Sequence, residues 1–343
     1  MKPFHRLTLR GQARRIRPLA LSALQSYGLD VERLRLLSND TNTSFRVDTR
    51  EGSTYALRVN YAGPSEHTLG EFRTELAWLD ALHKDGEIPV PAPIPNRDGE
   101  LLTRAAADGV PQPRWCVLMH WIKGGDLYDR LSPSTYRRFG RLSAQLHRHA
   151  LCFHPTDPDA LRTYDGVFSL MDDVSLFSDA NRGLLRNETE WTLREAVDRV
   201  QTELDALYAS GEPPRVLHND LHHWNVKVWG HRLTPFDFED LAWGYPIQDV
   251  ATTLFYVRNH SDYEALREAF RAGYETVLPW PARHADQLDT LIAGRALLLL
   301  NHLFSRPSLR DELGGEAFAT RYAGYCREWL RLDEARYDET DPS

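Results

Sequence analysis

Cysteine is scarce in this sequence: its 343 residues include Cys116, Cys152 and Cys326 and no others. A disulfide-stapled domain needs more cysteines at regular spacings, so that class of secreted protein is excluded. No apolar run is long enough for a signal peptide or a membrane span. We therefore expect a reduced, cytoplasmic protein without a membrane partner.

An excess of positive charge is also lacking, because the formal net charge is −8. Proteins that bind nucleic acid usually carry a basic face, so no nucleic-acid partner is expected. Lysine occurs only four times, as Lys2, Lys84, Lys123 and Lys227. A cation needed elsewhere in the first half of the chain must therefore be arginine.

The length and the hydrophobic content of 42% allow two domains with cores of their own. Residue patterns predict an α/β (α+β) protein with a sheet-containing first part and a mostly helical second part from residue 126 onwards. We place the boundary so that residues 1–122 and 123–343 form the two domains. The first part is predicted to contain helices at 16–27 and 66–83 and five strands at 34–37, 44–48, 55–59, 101–104 and 115–121.

The stretch 216–249 carries the strongest chemical pattern. Asp220 and Asn225 lie in a polar turn, a strand pair follows at 226–229 and 233–236, and the second strand ends on Asp237. A hairpin returns the chain to where it began, so Asn225 and Asp237 are expected side by side. Carboxylate and amide oxygens suit Mg²⁺, and Asp220 would remain to orient a hydroxyl nucleophile and accept its proton.

Two other interpretations of this stretch are open. Asn and Asp favour turns for local hydrogen-bonding reasons, so both motifs could be ordinary turns. Alternatively, His218, His222 and His223 could bind Zn²⁺ or a similar ion with Asp220, as in a metal-dependent hydrolase. The hydrolase interpretation explains neither Asn225 nor Asp237.

The paired motif His218-Asn219-Asp220 to Asn225 and Asp237-Phe238-Glu239-Asp240 resembles the aminoglycoside phosphotransferase and choline kinase family. The resemblance implies a two-lobed protein-kinase-like fold, whose small lobe has a five-stranded antiparallel sheet. It also implies transfer of a phosphoryl group from ATP to a hydroxyl of a small molecule. Asp220 would be the catalytic base, and Asn225 and Asp237 would hold Mg²⁺. Asp249 would brace the loop that carries Asp220.

In the first lobe, the resemblance places Arg58 where kinases have a phosphate-binding lysine. Arginine can replace it with a bidentate fork. Glu75, in the middle of the predicted helix 66–83, is the best candidate to pair with Arg58, and Glu71 is the alternative. Asn42, in the polar turn 38–43, fits the family's phosphate-side turn.

The resemblance further implies that the chain between the lobes binds the nucleotide base through its backbone at His120 to Ile122, with Met119 close by. The helices after residue 262 would build the acceptor pocket. Arg295, His302, Trp280 and Tyr274 could face that pocket, although packing or surface positions are the simpler interpretation for each. The expected partners are a nucleotide and a small hydroxyl compound: an amino alcohol, an aminoglycoside or a hydroxy amino acid.

The acidic residues Glu239 and Asp240 favour an amino-bearing acceptor among these classes. A pseudokinase that binds nucleotide without turnover is a further alternative, because Arg58 stands where kinases have lysine. Intact Asp220, Asn225 and Asp237 argue against it.

Overall fold

Alternating apolar and polar residues produce the first sheet, as in β2, where Phe45 and Val47 are buried and their neighbours are partly exposed. Its strands are β1 (Val31–Asn39), β2 (Thr43–Thr49), β3 (Thr54–Val59), β4 (Thr103–Ala105) and β5 (Arg114–His120). They are antiparallel, in the order β1-β2-β3-β5-β4. The predicted five-stranded antiparallel sheet is confirmed. The computed structural model describes residues 2–39, 42–61 and 67–340 of the chain.

Two helices accompany this sheet. The apolar side of α1 (Leu9–Gln25), which includes Leu19 and Leu24, packs with Leu57 and Leu118 of the strands in one buried cluster. The helix α2 (Leu69–Asp85) starts at a capping box between Thr68 and Glu71 and ends at Gly86 in the left-handed conformation. The predicted start of this helix at residue 66 lies outside the described residues, as do residues 40 and 41 of the predicted polar turn.

The chain divides into two compact units. The first comprises Met1–Gly125, Pro155–Ala160 and Lys227–Glu239, and the second comprises Asp126–His154, Leu161–Val226 and Asp240–Ser343. Three short strands, β6 (Gly125–Asp126), β8 (Val226–Trp229) and β9 (Arg232–Pro235), form a sheet in the order β6-β8-β9. The predicted hairpin is thus present.

The second unit is mainly helical. Its helices are α3 (Pro133–His149), α4 (Asn187–Tyr208), α5 (Pro246–Phe255), α6 (Tyr263–Tyr274), α7 (Gln287–Phe304), α8 (Pro307–Glu312) and α9 (Gly315–Thr340), and β7 (Arg215–Leu217) pairs with β10 (Ala242–Gly244). Two glycines allow α3 and α6 to approach closely. A Cβ on Gly140 would lie 1.9 Å from the carbonyl oxygen of Phe270, and one on Gly273 would lie 1.8 Å from that of Arg137. None of the described helices combines the length and apolar character that crossing a membrane requires.

Candidate active site

Arg58 is the centre of a buried charged cluster in the first unit. Successive side chains of a strand point to opposite faces, so Leu57 joins the apolar core while Arg58 points the other way, towards α2. There Arg58 Nη1 donates to Glu75 Oε1 at 2.8 Å, Nη2 donates to Glu75 Oε2 at 2.5 Å, and Nε donates to Asn60 Oδ1 at 3.2 Å. Only 6% of Arg58 and 2% of Glu75 is exposed. Glu75 is therefore the partner of Arg58, and Glu71 caps the helix instead.

The end of the second motif joins this cluster. Glu239 Oε2 lies 3.7 Å from Arg58 Nη1 and accepts a hydrogen bond from Asn42 Nδ2. Burial alone would lower the pKa of Arg58, but the carboxylate of Glu75, helped by Glu239 and Asp237, outweighs burial and raises it. The guanidinium is thus permanently charged, and three of its five N–H groups are used.

Backbone strain marks both motifs. Among the described residues, Asn219 (φ 63°) and Asp237 (φ 67°) are the two non-glycine residues with positive φ. Asn and Asp tolerate this conformation better than other side chains, at a cost of about 1 kcal/mol or more. Each motif therefore contains a tight turn, which lies next to Asp220 in the first motif and at Asp237 in the second.

The predicted base-binding residues lie at and beyond the end of β5. Met119 pairs with Ala56 across the sheet, and the His120 amide donates to the carbonyl oxygen of Ala92 at 2.9 Å. That N–H is consequently occupied. Ile122, two residues past the end of the strand, is half-buried and is the better candidate for a backbone donor.

A buried carboxylate holds the loop 218–225 in the second unit. Asp249 Oδ2 accepts from the backbone N–H of His218 at 3.1 Å, and Oδ1 accepts from that of Asn219 at 2.6 Å. His147 Nε2 lies 3.1 Å from Asp249 Oδ2, while His147 Nδ1 lies 2.9 Å from the Tyr274 hydroxyl. Tyr274 is therefore a packing residue, and Asp249 braces the loop.

Asp220 projects from this loop with 19% of its side chain exposed, and both its oxygens have partners. Arg295 Nη2 donates to Oδ1 at 2.5 Å, while Asn225 Nδ2 donates to Oδ2 at 2.9 Å and His222 Nε2 lies 3.3 Å from Oδ2. Burial alone would raise the pKa of Asp220, but the hydrogen bond with His222 and the charge of Arg295 outweigh burial and lower it. Asp220 is thus a fixed carboxylate.

The side-chain amide of Asn225 has one end in use. Its Nδ2 donates both to Asp220 Oδ2 and to the Asp220 carbonyl oxygen, at 2.9 and 3.0 Å. This network assigns Oδ1 as the atom that is left for a cation. Amide and carboxylate oxygens, such as those of Asn225 and Asp237, are hard donors of the kind that Mg²⁺ prefers.

The histidines of the loop have protein partners. His222 lies against Asp220, and His223 Nδ1 lies 3.3 Å from the Tyr136 hydroxyl. No group of three or more His, Cys, Asp or Glu side chains in the described part of the chain is arranged to hold a metal ion. The hydrolase interpretation, which required His218, His222 and His223 to share one, therefore gains no support.

Sequence reasoning missed several contacts of these clusters. Arg295 was placed only among possible pocket residues, and its pairing with Asp220 spans 75 positions. One signal was available, because a single arginine stands in the apolar run of α7 and a buried charge requires a partner. Asn60 was missed as well, although it lies two residues after Arg58, just past the end of β3, where the alternation of the strand would place it on the same side.

The model of the phosphotransferase enzyme family matches residues 33–286, well over half of the chain. The chain belongs to this family. The resemblance predicted from the paired motif is thereby confirmed.

Relatives and solved structures agree with this membership. The chain is 28% identical to an uncharacterised protein of Synechocystis over 69% of this chain and 63% of that protein. It is 22% identical to the amicoumacin kinase of Bacillus subtilis over 68% of this chain and 66% of that enzyme. These matches span slightly less than two thirds of both relatives. It is also 28% identical to the homoserine kinase of Rhizobium johnstonii over 72% of this chain and 75% of that enzyme.

Among solved structures, a microcompartment-associated aminopropanol kinase superimposes with a TM-score of 0.73 at 25% identity, covering 92% of this chain and 98% of that one. A spectinomycin phosphotransferase superimposes with a TM-score of 0.61 at 12% identity, covering 92% and 98%. The second likeness shows the fold alone. The predicted protein-kinase-like fold is confirmed.

Proposed function

We propose that the protein transfers the γ-phosphoryl group of ATP to a hydroxyl of a small molecule. The observation that carries this proposal is Asp220, a partly exposed carboxylate held at both oxygens by Arg295, Asn225 and His222. In a family of phosphotransferases, such a fixed carboxylate is suited to orient a nucleophile. We assign nucleotide binding to the first unit and acceptor binding to the second.

Asp220 would accept a hydrogen bond from the acceptor hydroxyl and align its oxygen with the phosphoryl group. Its lowered pKa keeps it ionised but makes it a weak base. Phosphoryl transfer passes through a loose transition state in which placement matters more than early proton removal. Asp220 therefore orients the hydroxyl first and takes its proton as the new P–O bond forms.

The remaining residues would position the nucleotide. Arg58, fixed by Glu75, has two N–H groups left to hold phosphate oxygens. Asn225 and Asp237 would hold Mg²⁺, which when bound neutralises charge on the phosphates. The backbone near Ile122 would bind the base, with Met119 beside it.

ADP release from MgATP tests this function. Pools of aminoglycosides, amino alcohols, hydroxy amino acids and sugars are supplied in turn, to the wild type and to Asp220→Asn. We expect one pool to stimulate ADP release and the Asp220→Asn variant to lose that stimulation. Asp262→Asn is the matched control, because Asp262 is an exposed residue of the same unit that makes no side-chain capping bond.

Stimulated release that survives in Asp220→Asn would contradict the assigned role of Asp220. Nucleotide binding without release in any pool would favour the pseudokinase alternative. Absence of nucleotide binding would refute the proposal altogether.

A further inference from the structure

Helix α7 is buried on nearly all sides, which makes its few accessible positions informative. Of its 18 residues, only Asp289, Leu299 and His302 are not fully buried. Asp289 is paired with Arg267 at 2.7 Å. Leu299 and His302 lie four and seven positions after Arg295, so the three share one face of the helix. We call Arg295, Leu299 and His302 the α7 stripe.

The α7 stripe leads away from the reacting carboxylate. Its inner end is Arg295, which contacts Asp220, and its outer end is His302. Seven residues of helix span roughly 10 Å along the axis, and side chains lean back towards the helix N-terminus. A small acceptor with its hydroxyl at Asp220 would therefore bring its other end beside His302.

The outer end of this path carries a positive charge that no carboxylate balances. Asp220, the carboxylate at the inner end, is neutralised by Arg295. At the outer end, burial, and after it the charges of Arg306 and Arg295, lower the pKa of His302 to about 4. Among residues 2–39, 42–61 and 67–330, no carboxylate forms an ion pair with Arg306, which is exposed. The outer end thus has an exposed, uncompensated guanidinium beside a neutral imidazole.

We propose that the α7 stripe, with Arg306 beyond its outer end, recognises an anionic group of the acceptor, so that the acceptor is a small hydroxy acid. The inference rests on the proposed phosphotransfer function and narrows its substrate class to hydroxyl compounds with a carboxylate. A carboxylate can accept hydrogen bonds from the guanidinium of Arg306 and from the imidazole of His302.

Of the two acidic residues that favour an amino-bearing acceptor, Glu239 already has partners. Glu239 is engaged with Asn42 and lies 3.7 Å from Arg58, all within the first unit. An ammonium group placed beside Arg306 would be repelled by a like charge. An acceptor with several ammonium groups is the least suited to this path, while a hydroxy amino acid still fits through its carboxylate.

Three matched alcohols vary the charge of the group at the far end of the acceptor and keep the rest of the molecule alike. We choose 4-hydroxybutyrate, 1,4-butanediol and 4-amino-1-butanol, which carry a carboxylate, a hydroxyl and an ammonium group opposite the same primary alcohol. Binding is followed by NMR of the His302 ring signals in the full-length protein, assigned by their loss in His302→Gln. This readout needs no turnover.

We expect 4-hydroxybutyrate to shift the His302 signals saturably and to raise the imidazole pKa, because an anion favours the charged form. The diol should bind more weakly, and the amine should give no saturable shift. Arg306→Gln should weaken 4-hydroxybutyrate binding about three- to tenfold and leave the diol unchanged. Arg182→Gln is the control, because Arg182 is an exposed arginine of the same unit whose partner Asp179 is also exposed.

Equal responses to the three alcohols, or none to 4-hydroxybutyrate, would overturn the inference. So would an Arg306→Gln variant that binds 4-hydroxybutyrate as the wild type does. Failure of the phosphotransfer proposal is seen separately: charge-selective binding without ADP release from MgATP for any hydroxy acid would leave the anion site in place and remove its assigned reaction.

Discussion

The pair of Arg58 and Glu75 allows a quantitative test of the buried cluster. Glu75→Gln keeps the shape of the side chain but removes the charge that compensates a guanidinium of which only 6% is exposed. Removing one partner of a buried ion pair typically costs about 3–5 kcal/mol. Glu239, 3.7 Å from Arg58, still offers an opposite charge. We therefore expect a loss near the lower limit, about 3 kcal/mol.

Urea unfolding followed by circular dichroism measures this loss. With an unfolding entropy of roughly 2.1 cal/mol/K per residue, a loss of about 3 kcal/mol in a chain of 343 residues corresponds to a fall in Tm of roughly 4 °C. The double variant Arg58→Met with Glu75→Leu should lose less than Glu75→Gln, because no uncompensated charge remains. Glu71→Gln, on the same helix, keeps the capping box and should lose well under 1 kcal/mol.

A comparison of the single and double variants tests whether Arg58 and Glu75 act as one buried ion pair. A loss below about 1 kcal/mol in Glu75→Gln would show that water or Glu239 compensates Arg58 fully. A double variant as unstable as the sum of Arg58→Met and Glu75→Leu would show that the two side chains are not coupled. Either result would refute the interpretation of this pair as one buried unit.

Further predictions concern the second unit and the thiols. Arg295→Met should lower kcat about 100-fold with little change in the KM for ATP, because Arg295 orients Asp220. Arg295→Lys should recover part of the lost kcat. Equal kcat values in the two variants would contradict this orienting role. Asp249→Asn should cost about 3 kcal/mol in urea unfolding, because a buried carboxylate that accepts two backbone N–H groups is lost; a loss below 1 kcal/mol would count against the brace. A thiol reagent at pH 8 should titrate one thiol per native chain, that of Cys152, and three after denaturation, because burial raises the pKa of the other two cysteines to about 12; rapid reaction of a second native thiol would disprove their burial. The free energy of unfolding should fall as the pH drops from 6.5 to 4, because His302 binds a proton in the unfolded chain but not in the folded one. His302→Gln should flatten this dependence on pH. An unchanged slope would exclude His302 as a cause.

Local patterns were sufficient to predict much of the fold and part of the clusters. The strands of the first sheet follow strong periodicities, so their bounds agree with the prediction within three residues, whereas α1 begins seven residues before its predicted start at residue 16. The contact between Asp220 and Asn225 follows from their five-residue spacing within one turn. The pairing of Arg58 with Glu75 is expected from the resemblance, which gives Arg58 the place of the phosphate-binding lysine, and from the position of Glu75 in the middle of the predicted helix.

Contacts between distant elements could not be predicted in the same way. The side of α7 that carries Arg295 depends on how α5 and α7 pack, and an apolar helix that is buried all round has no periodic face to indicate it. The direction of the Glu239 side chain depends on the left-handed backbone conformation of Asp237. An aspartate allows this conformation but does not require it, so the sequence does not reveal it. Both residues acquire their role from tertiary packing alone.

The interleaving of the two units along the chain has a consequence for synthesis on the ribosome. The first unit takes its last segment, Lys227–Glu239, from beyond about half of the second unit's sequence. Roughly 110 residues must therefore be translated after Gly125 before this unit has all its parts, which takes about 6–20 s at 5–20 residues per second. During that interval Arg58 has Glu75 as a partner but not yet Glu239. A nascent chain is thus unable to complete the buried cluster around Arg58 until the loop with Asp220 has also been made.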